Sequence, residues 1–146
     1  MSLPAAECLF TEGKITLPEG CQDRTVNAFP APAPGAPAFN ISRDALNDAE
    51  TLSAYVDRQL ALMQAHLKDW KQTGRVPSVL GDNLLHGECV HASYLRDGRR
   101  VFQQQAVFNP QDNRILVFTM TCTAALTEAD DAQFQRLLAS FRFHEQ

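Results

Sequence analysis

The chain has 146 residues and a formal net charge of −4, and although 45% of its residues are apolar, its longest unbroken apolar runs are four residues, Leu60–Met63 and Ile115–Phe118. A membrane-spanning helix needs about 20 consecutive, mostly apolar residues, and 13 Lys and Arg against 17 Asp and Glu leave no basic surplus for a nucleic-acid backbone. Direct membrane insertion and nucleic-acid binding are therefore excluded. The length fits a single domain over residues 1–146, large enough to fold without a disulfide or metal staple. Cys8, Cys21, Cys89 and Cys122 lie far apart with no CxxC, so free thiols in a reducing compartment are expected.

In chain order, MSLPAAECLF carries no Lys or Arg and no apolar core, and Glu7 precedes Cys8. Neither a secretory signal nor a lipidated cysteine is expected, and the expected location is cytoplasmic. Glu12-Gly13 reads as a turn, with Ile15 and Leu17 alternating behind it, and Asp23–Phe29 reads as a strand. Residues Pro30–Pro37 hold four prolines in eight positions. Without N–H groups they stay out of a ladder and form a stiff connection or a polyproline ligand. Ala38–Arg43 resumes as a strand.

Asn47 and Glu50 resemble a capping box. Leu52, Val56, Leu60, Met63, Leu67 and Trp70 follow at helical spacing, and Gly74 is the expected end. Strands are expected near Val76–Leu80 and over Leu84–Leu95, Arg100–Phe108 and Arg114–Thr123, with turns at Asp97-Gly98 and Pro110–Asn113. Thr127 with Asp130 caps a final helix, with Phe134, Leu137, Leu138 and Phe141 on its apolar side. The expected fold class is α+β: a curved antiparallel sheet of about six strands with two helices packed on one face.

Strand alternation separates two residue sets. Phe39, Ile41, Leu116, Phe118, Met120 and Cys122 are bulky and suit a helix-covered face. The other set holds Val26, Ala28, Ala38, Asn40, Ser42, Val117, Thr119 and Thr121. On Arg100–Phe108 the alternating set is Val101, Gln103, Gln105 and Val107. A sheet face open to water normally carries Lys, Glu and Arg; this set carries almost no formal charge. Small residues and uncharged hydrogen-bonding groups are what apolar helices use to hold one another in a membrane. The face therefore suits an apolar helix outside a membrane, or else is covered by a dimer partner or by the Pro-rich loop.

Chemical motifs are sparse. His86, Cys89 and His91 lie within six residues, but alternation points His86 away from the other two and no fourth ligand is spaced to help, so no metal is expected. Glu88 beside them reads as a strand residue rather than half of an acid–base pair. Cys21 has no neighbour to activate it, and no nucleotide-binding or nucleophile-elbow motif occurs. Neither an enzymatic activity nor a cofactor is expected.

The strings LPEGCQDRTVNAF (Leu17–Phe29), FNISRD (Phe39–Asp44) and SAYVDRQLALM (Ser53–Met63) resemble the DcrB-like family of small α+β proteins, whose fold type is called Mog1/PsbP-like. More narrowly they resemble the Eag chaperones of bacterial type VI secretion. QQAVF (Gln104–Phe108) and LASF (Leu138–Phe141) agree, and the resemblance runs from about Phe10 to Phe143, departing at Cys21, where relatives often carry Trp. It implies a homodimer whose groove binds the N-terminal transmembrane helices of a PAAR-containing effector before export. The groove positions it implies are Val26, Ala28, Ala38, Asn40, Ser42, Gln59, Met63, Gln103 and Gln105 with neighbours, among which Val101 and Val107 are counted. Gln59 and Met63 rest on the resemblance alone. The alternative is a non-enzymatic interaction or adaptor module of the same fold.

Overall fold

The computed structural model describes residues 7–144; the N-terminal reading of Met1–Ala6 falls outside them. Glu7–Phe10 (β1) and Gly13–Thr16 (β2) pair as a separate two-stranded hairpin. Six strands make the main sheet: Asn27–Phe29 (β3), Ala38–Ala45 (β4), Lys68–Leu80 (β5), Leu85–Arg96 (β6), Arg99–Phe108 (β7) and Arg114–Cys122 (β8). All neighbours are antiparallel, in the order β3-β4-β8-β7-β6-β5. Leu52–His66 (α1) links β4 to β5, and Glu128–Ala139 (α2) follows β8. The β6–β7 turn has positive φ at Asp97 and Gly98 (51° and 77°), as a two-residue hairpin matched to strand twist requires.

The α+β class and the six-stranded sheet are as expected, but the helices do not share a face. Phe134 and Leu138 of α2, both fully buried, pack with Phe108, Phe118 and Met120, and the Phe134 ring stacks on Phe39 at 6.2 Å. Tyr55 and Val56 of α1 pack instead with Val90, Val107 and Ile115. Phe118 and Val117 alternate along β8, so α1 lies on the face opposite α2. The reason is lengthwise segregation. One end of the uncharged face carries Val90, Val107, Ile115 and Val117, enough to bury a narrow helical stripe; the other end carries amides and hydroxyls. Face-averaged alternation hides that division.

Several boundaries also shift. The cap of α1 is Thr51, whose Oγ1 accepts the Ala54 N–H at 3.1 Å; Glu50 Oε1 accepts the Asn47 N–H just upstream. The helix ends at Leu67, which is extended, and Asp69 has φ 51°. Trp70 and Gly74 are therefore in β5, where non-local pairing with β6 overrides the helical spacing. Trp70 still packs against the α1-side core. β3 is shorter than Asp23–Phe29 because side chains satisfy the segment before it. Asp23 accepts the Thr25 N–H at 2.9 Å, and Arg43 donates to the Thr25 carbonyl at 2.9 Å, an alternative to a ladder. The Pro-rich loop meets the bulky face, where the Cys122 thiol donates to the Gly35 carbonyl at 3.3 Å.

The capping box of α2 is complete: Thr127 Oγ1 accepts the Asp130 N–H and the Asp130 carboxylate accepts the Thr127 N–H. Thr127→Ala is expected to cost about 1 kcal/mol of unfolding free energy in a denaturant titration.

Candidate functional site

Strand register assembles the uncharged face into rows. One runs Ala28–Asn40–Thr119–Gln105–Val90 across β3, β4, β8, β7 and β6. A second runs Ala38–Thr121–Gln103–Ala92, and a third Ser42–Val117–Val107–Glu88. Helix α1 lies over the valine end of this face. Between its Gln59, Leu60 and Met63 and the strands is a cleft of about 170 Å³, lined also by Ser42, Gln105, Val107 and Val117.

The cleft brings together Ser42, Gln59, Met63, Gln105 and Val107 of the sequence-derived set. Ala28, Ala38 and Asn40 continue the same face toward the β3 edge, and Val101 and Gln103 continue it toward the β6–β7 turn, both buried at 6% exposure rather than open as a groove lining would be. Val26 precedes β3 and is 58% exposed, outside the paired rows. Gln59 and Met63, which alternation does not reach, sit opposite the predicted strand residues. The sequence reading misses Tyr55, Val56, Leu60 and Val90 as walls of the cleft. The helical stripe contains Val56 and Leu60, but without knowing which face α1 covers their role is not legible.

Two carboxylate–guanidinium networks sit at the cleft margin, and the Arg43 guanidinium there donates to the Thr25 carbonyl and Asn27 Oδ1. Asp44 accepts from the Tyr55 hydroxyl at 2.7 Å and pairs with Arg24 at 2.5 Å. Arg75 pairs with Glu88 at 2.7 Å and Asp57 at 2.5 Å, and also donates to the Ser53 carbonyl. Burial, reinforced by the Asp44 carboxylate, raises the Tyr55 hydroxyl above its ordinary pKa and keeps it a donor. The Glu88 and Asp57 bonds likewise hold Arg75 charged. By contrast, among the described residues the side-chain amides of Gln59, Gln103 and Gln105 make no hydrogen bond within the chain. The cleft offers hydrogen-bonded charges at its margin and unused amides inside it.

A more apolar cleft of about 370 Å³ opens on the opposite face among Phe29, Phe39, Ile41, Phe134, Leu137 and Phe141. Cys89 lies in the core of that face, where burial pushes its thiol up to about 12, far from the thiolate that nucleophilic chemistry requires. All four cysteines are free thiols. Among the described residues no helix is long and apolar enough to cross a membrane.

The DcrB family model matches residues 12–140, which takes in every strand of the main sheet and all but the first strand of the hairpin. The chain belongs to the DcrB family. A Pseudomonas aeruginosa (strain PAO1) protein named Effector EagT6 is 32% identical over 123 residues, 78% of this chain and 79% of that protein, in keeping with the Eag-type resemblance. A crystal structure of PA94, a Pseudomonas aeruginosa protein of unknown function, superposes with TM-score 0.72 at 21% identity over 97% of this chain and 99% of its own. It shares the fold. LpqN of Mycobacterium tuberculosis, described as involved in cell envelope biogenesis, gives a TM-score of 0.47 at 15% identity over 81% and 79% of the two chains.

In this DcrB-family protein a tightly bonded carboxylate sits at the entry to α1. Arg58 donates to both Glu50 oxygens at 2.9 Å; with the Asn47 N–H, this lowers the Glu50 carboxyl from 4.5 to about 2. A carboxyl with a depressed folded pKa contributes stability above its unfolded value that is lost as pH falls through the folded one. Glu50→Gln should therefore lower the melting temperature at pH 7, with the difference from wild type shrinking as pH drops from about 4.5 toward about 2. Melting curves across that range check it.

Proposed function

We propose that this chain is an effector chaperone of a type VI secretion system, holding the N-terminal transmembrane helices of a PAAR-containing effector until export. The observation that carries the reading is the uncharged face: rows of Ala, Ser, Thr, Asn, Val and Gln beside a cleft whose amides are unpaired among the described residues. The similarity to Effector EagT6 supports an effector as the partner. Client helix surface covered by Ala28 and Met63 is removed from water, worth about 25 cal/mol per Å² of apolar area, while Val101 and Val107, buried in the chain itself, back the face from within. Ser42, Asn40, Gln59 and Gln105 supply hydrogen bonds to client polar groups, each of which would cost about 1–3 kcal/mol if buried unsatisfied.

The protein acts in this reading as a cytoplasmic homodimer, two faces raising avidity for a client with more than one helix. It performs no chemical step and uses no cofactor or metal.

Co-expression tests the reading. An effector's N-terminal helical region should be recovered in the soluble fraction with this chain and in the pellet without it. Solubility of that region on its own would sink the chaperone reading and favour an adaptor that recognises a folded surface.

A further inference from the structure

Among the described residues, two cations at the turn end of the uncharged face have no counter-charge. Arg96 and Arg99 face each other across the β6–β7 ladder, flanking the Asp97-Gly98 turn. Both are exposed, and among the described residues neither guanidinium joins an ion pair or a side-chain hydrogen bond; Arg43 and Arg114 also hold no carboxylate, but their cross-strand partners are Leu116 and Ala45 rather than a second cation. Like charges directly opposite in a ladder repel, so the pair is a local cost to the hairpin.

Its position gives that cost a purpose. Arg96 is two residues beyond Tyr94 and Arg99 two residues before Val101, and Tyr94 pairs with Val101. Alternation places both arginines on the same face as Val101, Gln103, Gln105 and Val107. Trp70 stacks on Tyr94 with ring centroids 6.4 Å apart. From Arg99 to Val107 the strand rises roughly 26 Å. At the Val107 end, Asp44 and Glu88 are already neutralised by Arg24 and Arg75. Along the face there follow, in order, matched charges, an uncharged band, an aromatic pair and an unmatched cation pair. A bilayer offers a helix the same sequence: an apolar zone, an aromatic belt, then charge.

We propose that Arg96 and Arg99 form a subsite for acidic residues flanking the client's apolar helix, fixing where along the face that helix stops. The inference rests on the chaperone reading and adds the chemistry of one client end. Guanidinium groups suit carboxylates because their planar forks donate in pairs. An acidic peptide flank is favoured over an anionic lipid headgroup because the pair continues the rows that hold the helix.

The test uses the full chain and three synthetic peptides sharing one apolar helical segment, flanked by Glu-Glu, Gln-Gln or Lys-Lys. Wild type should bind the Glu-flanked peptide about tenfold more tightly than the Gln-flanked one, a preference that weakens as salt rises. An Arg96→Gln/Arg99→Gln variant should lose the preference, bind the Gln-flanked peptide as wild type does, and melt no lower, since a repulsion is relieved. Equal affinities in wild type, or a preference that survives in the variant, would overturn the subsite while leaving the chaperone reading in place. Failure of wild type to bind any of the three overturns both. Capture of phosphatidylserine vesicles by wild type but not by the variant, with no flank preference among peptides, also overturns it and assigns the pair to headgroups.

Discussion

Ala28→Asp and Ser42→Arg are each expected to weaken client capture at least hundredfold while the chain stays folded. Each substitution places an unmatched formal charge among uncharged neighbours, at Ala28–Asn40–Thr119–Gln105 and at Ser42–Val117–Val107, the latter row ending in a Glu88 already paired with Arg75. A bound apolar helix would strip water from that charge and offer nothing in return, a penalty of several kcal/mol; about 2.7 kcal/mol is already hundredfold in affinity. Ala28 is exposed and Ser42 half-buried beside an open cleft, so neither disturbs the packed core and the melting temperature should move by only a few degrees. Gln105→Leu is the finer probe. It adds no charge and breaks no hydrogen bond among the described residues, yet leaves a client polar group unsatisfied, so a roughly tenfold loss is expected. Calorimetric titration with a client helical peptide, alongside thermal melts, separates binding from stability. Full affinity in both charged variants would place the client on another surface.

Gly87→Ala is expected to leave little folded protein. A Cβ on Gly87 would lie 2.0 Å from the Val107 carbonyl oxygen and 2.7 Å from Cδ1 of Phe108. The first contact is with backbone, so relief requires β6 and β7 to separate at the row that carries Val107 and Glu88. That breaks ladder bonds and lifts Phe108, fully buried, from the α2-side core. A loss of about 4 kcal/mol or more follows, the range reserved for core disruption. Gly74→Ala is the control in the neighbouring β5–β6 ladder. Its Cβ would meet the His91 side chain at 3.6 Å, ordinary contact, and stability should change by less than about 1 kcal/mol. Urea titration of the two variants against wild type checks the pair; equal midpoints would contradict the β6–β7 register.

The sheet was legible because alternation is strict where both faces are occupied: Arg114–Cys122 and Arg99–Phe108 carry a side-chain period of two that only a strand uses. The second helix was legible because Thr127 and Asp130 announce its start in local chemistry. The first helix was half legible. Its stripe from Leu52 to Met63 is real, but Leu67 and Trp70 extend the same spacing by coincidence, and pairing of β5 with β6, more than 20 residues on at Trp70's end, ends the helix early. No local pattern reports such a contact.

The face that α1 covers was hidden for a different reason. Val90, Val107, Ile115 and Val117 come from three strands and become one apolar patch only once register is known. The candidate site shares that logic. Asn40, Ser42, Gln103 and Gln105 were visible as an uncharged set, and the register joins them in rows. Gln59 and Met63 came from family resemblance, and the cleft accounts for them by bringing them over Ser42 and Gln105. Val26 is the outlier, since Asp23, Arg24 and Arg43 bond the backbone and side chains around it and leave it before the strand.

The central claim is that the uncharged face, not the apolar cleft beside α2, holds an apolar helix of the client. Site-specific photo-crosslinking measures this directly. A photoreactive amino acid is placed at Gln105 in one variant and at Leu137 in another, each co-expressed with the effector's N-terminal region. The account predicts a crosslink from position 105 to a residue within an apolar helical segment and none from position 137. A crosslink from position 137 with none from 105, or one from 105 to a folded domain of the partner, would contradict it.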